Sequence, residues 1–160
     1  MPNKWTFLLP PVKKILELYV GDGCNWLDPF SGCYSPAEYT NDLNPDAPSK
    51  FHMEAVDFLN SREGEFSGLL FDPPYSPRQI SECYKSFGLK TNYLTTSAQF
   101  YAKVKDAAAK HVAVGGTAIS FGWNSGGMGM SRGFEKKMIL VIGHGGSHND
   151  TIVTVETRIR

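Results

Sequence analysis

Four aspartates stand where a run of apolar or β-prone residues gives way to turn formers. Asp28 follows Cys24-Asn25-Trp26-Leu27, Asp42 follows Glu38-Tyr39-Thr40-Asn41, Asp57 follows the run through Phe51-His52-Met53, and Asp72 follows Leu69-Leu70-Phe71. Pro73, Pro74 and Tyr75 come directly after the last of these. A carboxylate and a backbone carbonyl held side by side are two acceptors. Aimed at the hydrogens of a planar amino group, they would draw its nitrogen toward tetrahedral geometry and stabilise positive charge developing on it. The prolines lock φ and so fix the direction of the Pro73 carbonyl, while Tyr75 adds an aromatic face for a planar partner. The plainer alternative is that proline pairs are punctuation and an aspartate after a strand is a turn residue. Four acids in register at successive strand ends weigh against it.

The elements that must position these acids can be read from periodicity. The apolar run before Asp72 has the character of a buried parallel strand, ended by prolines that cannot donate ladder hydrogen bonds. Asp72 therefore belongs at the carboxyl end of a central strand, where open α/β sheets place ligands. Upstream, Pro10-Pro11 is expected to stop an extended segment. Val12, Ile15, Leu16 and Tyr19 then recur at helical spacing, and Gly21 and Gly23 close the helix. Downstream, Ser76 as N-cap, Pro77 at the first helical position and Gln79 as the capping-box partner start a helix with Ile80, Tyr84 and Phe87 on one face. A polar loop from Gly88 to Thr96 leads to a second helix from about Ser97, carrying Phe100, Val104 and Ala108. A strand over Val112 to Phe121 and a glycine-rich loop from Gly122 to Gly129 follow. Two alternating runs, Lys137 to Ile142 and Thr151 to Thr157, then form a hairpin. The expected fold is α/β, a mostly parallel Rossmann-like sheet with a C-terminal antiparallel hairpin. Only nine residues separate Gly32 from Asp42, with Pro36 among them, so the first crossover helix is expected to be missing. That loss should open one flank of the sheet to solvent or to another subunit.

A chain of 160 residues suits a single domain, residues 1–160, with no separate recognition domain. Acidic and basic residues balance at 16 each, so no global positive field advertises a nucleic-acid binder, and any polyanion contact must come from local patches. Cys24, Cys33 and Cys83 are odd in number and lack CxxC spacing, suggesting neither disulfides nor zinc. His52, His111, His144 and His148 show no ligand spacing and no metal is expected; the last two are read as turn residues. No apolar run approaches the roughly 20 residues that span a bilayer. A soluble, cytoplasmic protein without membrane association is expected.

Asp28-Pro29-Phe30-Ser31-Gly32 together with Asp72-Pro73-Pro74-Tyr75 resembles the amino-group class of S-adenosylmethionine-dependent nucleic-acid methyltransferases, and within it the small adenine-N6 DNA methyltransferases of phages and mobile elements. The resemblance runs from about Trp5 to the final hairpin. It implies that Asp28 to Gly32 form the turn that holds S-adenosylmethionine, that Asp42, with Leu43 and Asn44, binds the ribose, and that Asp57 and Phe58 contact the adenine ring. Trp5, Thr6 and Phe7 would close over the methionine end. Asp72 to Tyr75 would be catalytic, with Tyr75 stacking a flipped base. Ser76, Arg78, Trp123 and Asn124 are the candidate substrate contacts, and the loop after Gly122 is expected to act as a lid or a wall of the base pocket. DNA is the expected partner and RNA the alternative, with self-association or a partner subunit suggested by the missing helix. Similar motifs occur in enzymes that methylate RNA bases or protein glutamine. A non-catalytic subunit is a further alternative, although the motif keeps both its acid and its aromatic ring.

Overall fold

The computed structural model describes residues 5–88, 98–146 and 149–160. The sequence expectations at Ser97 and His148, and the loop read across 89–96, lie outside the described residues. Six strands form one sheet: β1 (Trp26–Asp28), β2 (Tyr39–Thr40), β3 (Phe66–Phe71), β4 (Val112–Gly122), β5 (Phe134–Ile142) and β6 (Thr151–Arg158), in the spatial order β2-β1-β3-β4-β6-β5. The first four are mutually parallel, while β6 runs antiparallel to both β4 and β5. The helices are α1 (Pro10–Tyr19), α2 (Ala55–Asn60), α3 (Pro77–Ser86) and α4 (Ala98–Ala109), with short 3-10 turns at Thr6–Leu8 and Met130–Arg132. None of the described helices is long and apolar enough to cross a membrane.

The alternation of β3 sets the two layers. Leu69 and Phe71 face α2 and α4, where Phe58, Leu59, Val104 and Ala108 complete one core. Leu70 faces the other way, toward Val12, Ile15 and Leu16 of α1, joined by Ile119, Phe121, Val153 and Val155. Both prolines expected to precede α1 lie inside its first turn, where the missing N–H groups have no intrahelical acceptor in any case.

Two connections depart from helical crossovers. Between β1 and β2 there is no helix, as the spacing predicts, yet the flank is not left open. The Trp26 indole lies over Gly68, where a Cβ would come within 2.5 Å of its ring, and Trp26 and Ala37 are 4% and 8% exposed. A large side chain on one strand thus fills space above a glycine on the next. The connection from β4 to β5 also lacks an α-helix. Its glycine-rich stretch lies along the sheet face with Met128 plugged into the core. The buried Glu156 carboxylate accepts the Met128 and Gly129 N–H groups at 2.6 and 3.0 Å. Lys105 donates to the Gly127 carbonyl and Arg132 to that of Met128. Gly126 to Gly129 is therefore sheet covering, whereas a lid or base-pocket wall is expected of the loop from its place beside β3; Trp123, at the other end of the loop, lies outside this anchored stretch.

The expected third strand is reduced to a single parallel bridge between Asn41 and Phe51. The reason lies in the buried Asn41 side chain, whose Oδ1 accepts from Met53 N (2.9 Å) and whose Nδ2 donates to Met53 O (3.0 Å). One side chain thus satisfies the groups that a neighbouring strand would have paired, and the chain turns into α2.

If Trp26 is what closes the flank, Trp26→Ala should lower stability by about 3–5 kcal/mol, the scale of a large aromatic removed from a core. Urea unfolding followed by circular dichroism reads this; a loss below about 1 kcal/mol would mean the flank is held some other way.

Candidate functional site

The carboxyl ends of β1, β2 and β3 surround one cavity of about 230 Å³. At roughly 30 Å³ per liquid water, that is room for a small molecule rather than an ion. Of the residues expected at a cofactor site, Thr6, Phe7, Pro29, Phe30, Ser31, Gly32, Asp42, Leu43 and Asn44 line it, together with Asp72 and Pro74. The sequence spreads these over nearly half the chain, and the parallel order β2-β1-β3 brings them together.

Asp28 ends β1 fully buried, its Oδ2 accepting from the Ser35 hydroxyl at 2.6 Å and its Oδ1 from the Phe30 N–H at 3.0 Å. Gly32 has φ +54° with open space where a Cβ would stand, and its N–H donates to Asp42 Oδ2 at 2.9 Å. Asp42 Oδ1 accepts from Asn44 N at 2.8 Å. Asp42 thus ties the loop after β1 to the loop after β2. Asn41 adds a second tie by donating to the Pro29 carbonyl at 3.2 Å.

The turn after β3 is held from three sides. The Tyr75 hydroxyl donates to Asp72 Oδ1, and Thr6, from the opening 3-10 turn, hydrogen-bonds the same carboxyl. The Tyr101 hydroxyl of α4 donates to the Pro74 carbonyl. Ser76 caps α3 by accepting from Gln79 N (3.2 Å), while the Gln79 side chain accepts from Tyr75 N (2.6 Å) rather than from the cap residue itself. Pro73 is buried. The Tyr75 ring meets the exposed Trp123 edge to face, centroids 5.7 Å apart. Trp5 stacks on Tyr34 at 5.6 Å, beside the cavity that Tyr34 lines.

Four expected residues lie elsewhere. Asp57 and Phe58 are not at a strand end but in α2, where Asp57 is exposed and Phe58 is 0% exposed within the core. Helical geometry turns both away, and Met53, Glu54 and Ala55 line the cavity in their place. Arg78 is exposed and pairs with Glu82 along α3. Asn124 is exposed and caps its own turn, accepting from Gly126 N.

The lining also contains residues that sequence reasoning passed over. Cys83 and Tyr84 reach it from α3, Phe87 from the C-cap of that helix and Phe100 from α4. The Tyr84 hydroxyl lies 2.9 and 2.7 Å from the two Glu54 carboxylate oxygens and donates between them. The shared face of Ile80, Tyr84 and Phe87 was the available signal. For Asn41 and Tyr101 there was none, because their partners are backbone atoms remote in sequence.

The electrostatics are one-sided. Among the described residues the lining carries Asp42, Glu54 and Asp72 and no lysine, arginine or histidine. Burial pushes the Asp28 carboxyl up to about 8, against the lowering effect of its Ser35 and Phe30 donors and with a further upward push from Asp72 and Asp42. Burial likewise pushes Asp72 up to about 7 despite the Tyr75 and Thr6 donors. Burial and the neighbouring Asp72 drive the Tyr75 phenol far above its ordinary range, so it remains a proton donor. Such a wall favours a cationic occupant, and it holds an acceptor at the end of β3.

No family model matches the chain, and no curated protein matches it by sequence. Solved structures do match in fold. One is a 1,6-didemethyltoxoflavin-N1-methyltransferase from Burkholderia thailandensis, bound to 1,6-didemethyltoxoflavin and S-adenosylhomocysteine (12% identity, TM-score 0.62, 94% of this chain and 78% of that one). Another is the N-methyltransferase NodS from Bradyrhizobium japonicum (13%, 0.59, 92% and 94%). A third is TrmN from Thermus thermophilus (15%, 0.59, 92% and 48%). The architecture is accordingly the α/β Rossmann-like methyltransferase fold, with a mostly parallel sheet and a C-terminal antiparallel hairpin.

A carboxyl raised by folding binds its proton more tightly in the folded chain than in the unfolded one. Between the ordinary value of 3.8 and about 7 to 8, stability should therefore fall as pH rises. Urea midpoints should be lower at about pH 8 than at about pH 5, and Asp28→Asn should flatten the slope. A midpoint that climbs over this range would contradict the burial of these groups in the free protein.

Proposed function

We propose that this chain is an S-adenosylmethionine-dependent methyltransferase whose acceptor is the exocyclic N6 amino group of adenine in DNA. The observation that carries the reading is Asp72-Pro73-Pro74-Tyr75 at the end of β3, opening onto a cavity lined by acids and free of basic side chains among the described residues. The donor set suits this cofactor. Carboxylates complement an ammonium and a sulfonium, Asp42 suits ribose hydroxyls, Glu54 beside Met53 suits an adenine amino group, and Gly32 lets the backbone approach closely. Bound there, the cofactor supplies a methyl group already activated on sulfonium.

The remaining chemistry belongs to the chain. The Asp72 carboxylate and the Pro73 carbonyl accept from the acceptor's amino group and stabilise positive charge on its nitrogen. Tyr101 and Gln79 hold the Pro74–Tyr75 peptide, which keeps both acceptors aimed. Tyr75, whose hydroxyl engages Asp72 in the free protein, would yield that acceptor when an amino group arrives, leaving its ring beside Trp123 to stack a base. The bound 1,6-didemethyltoxoflavin and the N-methyltransferase name among the neighbours favour a nitrogen acceptor. A second reading, an RNA base or a protein glutamine, shares this chemistry at the Asp72-Pro73-Pro74-Tyr75 turn.

Incubation with labelled S-adenosylmethionine and plasmid DNA, then digestion to nucleosides, should yield N6-methyladenosine as the deoxynucleoside. Label appearing only in RNA or protein would move the substrate to the second reading. Asp72→Ala should abolish transfer while cofactor binding persists, and retained turnover would remove Asp72 from the mechanism. Asp42→Ala should weaken cofactor binding by about 1–3 kcal/mol, the scale of an unpaired hydrogen-bonding group, measured by equilibrium dialysis.

A further inference from the structure

The two edges of the sheet differ in kind. At one, β2 is two residues long, a blunt edge that resists pairing. At the other, β5 runs for nine residues and its outer side has no strand partner among the described residues. Its beginning is protected. Glu135, Lys136 and Lys137 carry charge, and the ladder to β6 shifts register between Lys136 and Met138, an irregularity of the kind that turns an edge away. Past that point protection stops. Met138-Ile139-Leu140-Val141-Ile142 has no charge, proline or glycine, keeps regular register with β6, and leaves Ile139 and Val141 48% and 58% exposed. The lysines do not guard it, since Lys136 donates to the Ser125 carbonyl and Lys137 pairs with Glu135.

We infer that the Met138–Ile142 edge joins two copies of this chain, β5 pairing antiparallel with β5 so that two six-stranded sheets continue as one. Symmetry selects the register. A two-fold axis perpendicular to the sheet keeps each face on its own side, and residues directly opposite in an antiparallel pair share a face. The axis must then fall on a residue, not between two. Centred on Leu140, five apolar residues meet five: Ile139 opposes Val141 on the exposed face, while Met138 opposes Ile142 and Leu140 opposes itself on the other. Centring on Ile139 sets Lys137 against Val141, and centring on Val141 wastes Met138 and Ile139 on His144 and Gly143. With the axis at Leu140, Lys136 and Lys137 arrive instead at the second copy's hairpin turn. There Asp150, whose carboxylate accepts from His144 N at 3.2 Å, faces the Glu135-Lys136-Lys137 segment, one acid and two bases, so the ends of the paired strands carry opposite net charge. The pairing is isologous and uses up the edge, which favours a closed dimer over a growing stack. It is independent of the proposed activity. It also moves self-association away from the flank beside β1, which Trp26 fills.

Analytical ultracentrifugation of the whole chain at micromolar concentration should give twice the chain mass. A chain carrying both Ile139→Lys and Val141→Lys should sediment at the single-chain mass with its folded circular dichroism spectrum retained and a melting temperature that no longer rises with protein concentration. The inference is overturned by wild-type protein at the single-chain mass throughout, by a doubly substituted chain that still dimerises, or by assemblies that keep growing with concentration. Should the substitutions unfold the hairpin, amide exchange on the wild-type chain decides. Protection across 138–142 that rises with protein concentration supports the pairing, and protection independent of concentration overturns it.

Discussion

The architecture around the cavity is constrained by the cost of placing carboxylates in a medium of low polarity. Asp28 and Asp72 are withdrawn from water at the ends of adjacent parallel strands, and each survives there only because donors have been brought to it. For Asp28 these are the Ser35 hydroxyl and the Phe30 N–H, which shape the turn after β1. For Asp72 they are Tyr75 and Thr6, which bind the turn after β3 to the opening segment of the chain. The donors hold the loops in place, and the loops form the cavity. Raised affinity for protons is the residue of a cost incompletely offset, and it leaves a site that gains when a cation enters.

The sheet achieves this with little scaffolding. Where crossover helices are missing, single side chains substitute for them. Trp26 roofs Gly68, Asn41 stands in for the ladder of a strand that is only a bridge, and Glu156 anchors a glycine-rich chain along the sheet face. In each case one buried group satisfies what an entire element would otherwise cover. These positions should be among the least tolerant of truncation, because no neighbouring segment can take over the same contacts.

Much of this was legible in the sequence, and the failures have physical causes. The strands before Asp28, Asp42 and Asp72 follow from apolar runs ended by turn formers, and the Ser76 cap from side-chain chemistry that acts over three residues. Local patterns of this kind survive folding. Asp57 and Phe58 were placed in the turn after a third strand, Phe51-His52-Met53, because a six-residue helix has too few turns to display its period. The Gly126–Gly129 part of the glycine-rich loop was misread because its place beside β3 says nothing of Glu156, nearly thirty positions downstream, which pins it to the sheet face. Tyr101 and Tyr84 join the site through contacts that exist only once α3 and α4 have packed.

The cavity whose wall carries Asp42, Glu54 and Asp72, with Asp28 buried outside the lining but within electrostatic reach of Asp72 and Asp42, is read as the site of a cationic cofactor. A cation entering there should lower the Asp28 and Asp72 affinities for protons, so association should expel protons at neutral pH. Titration calorimetry with S-adenosylmethionine, repeated in buffers of different ionisation enthalpy, measures that release directly. Saturable one-site binding is expected, with net proton release between about pH 6 and 8, diminished in Asp28→Asn. Absence of binding, or binding with proton uptake, would contradict it.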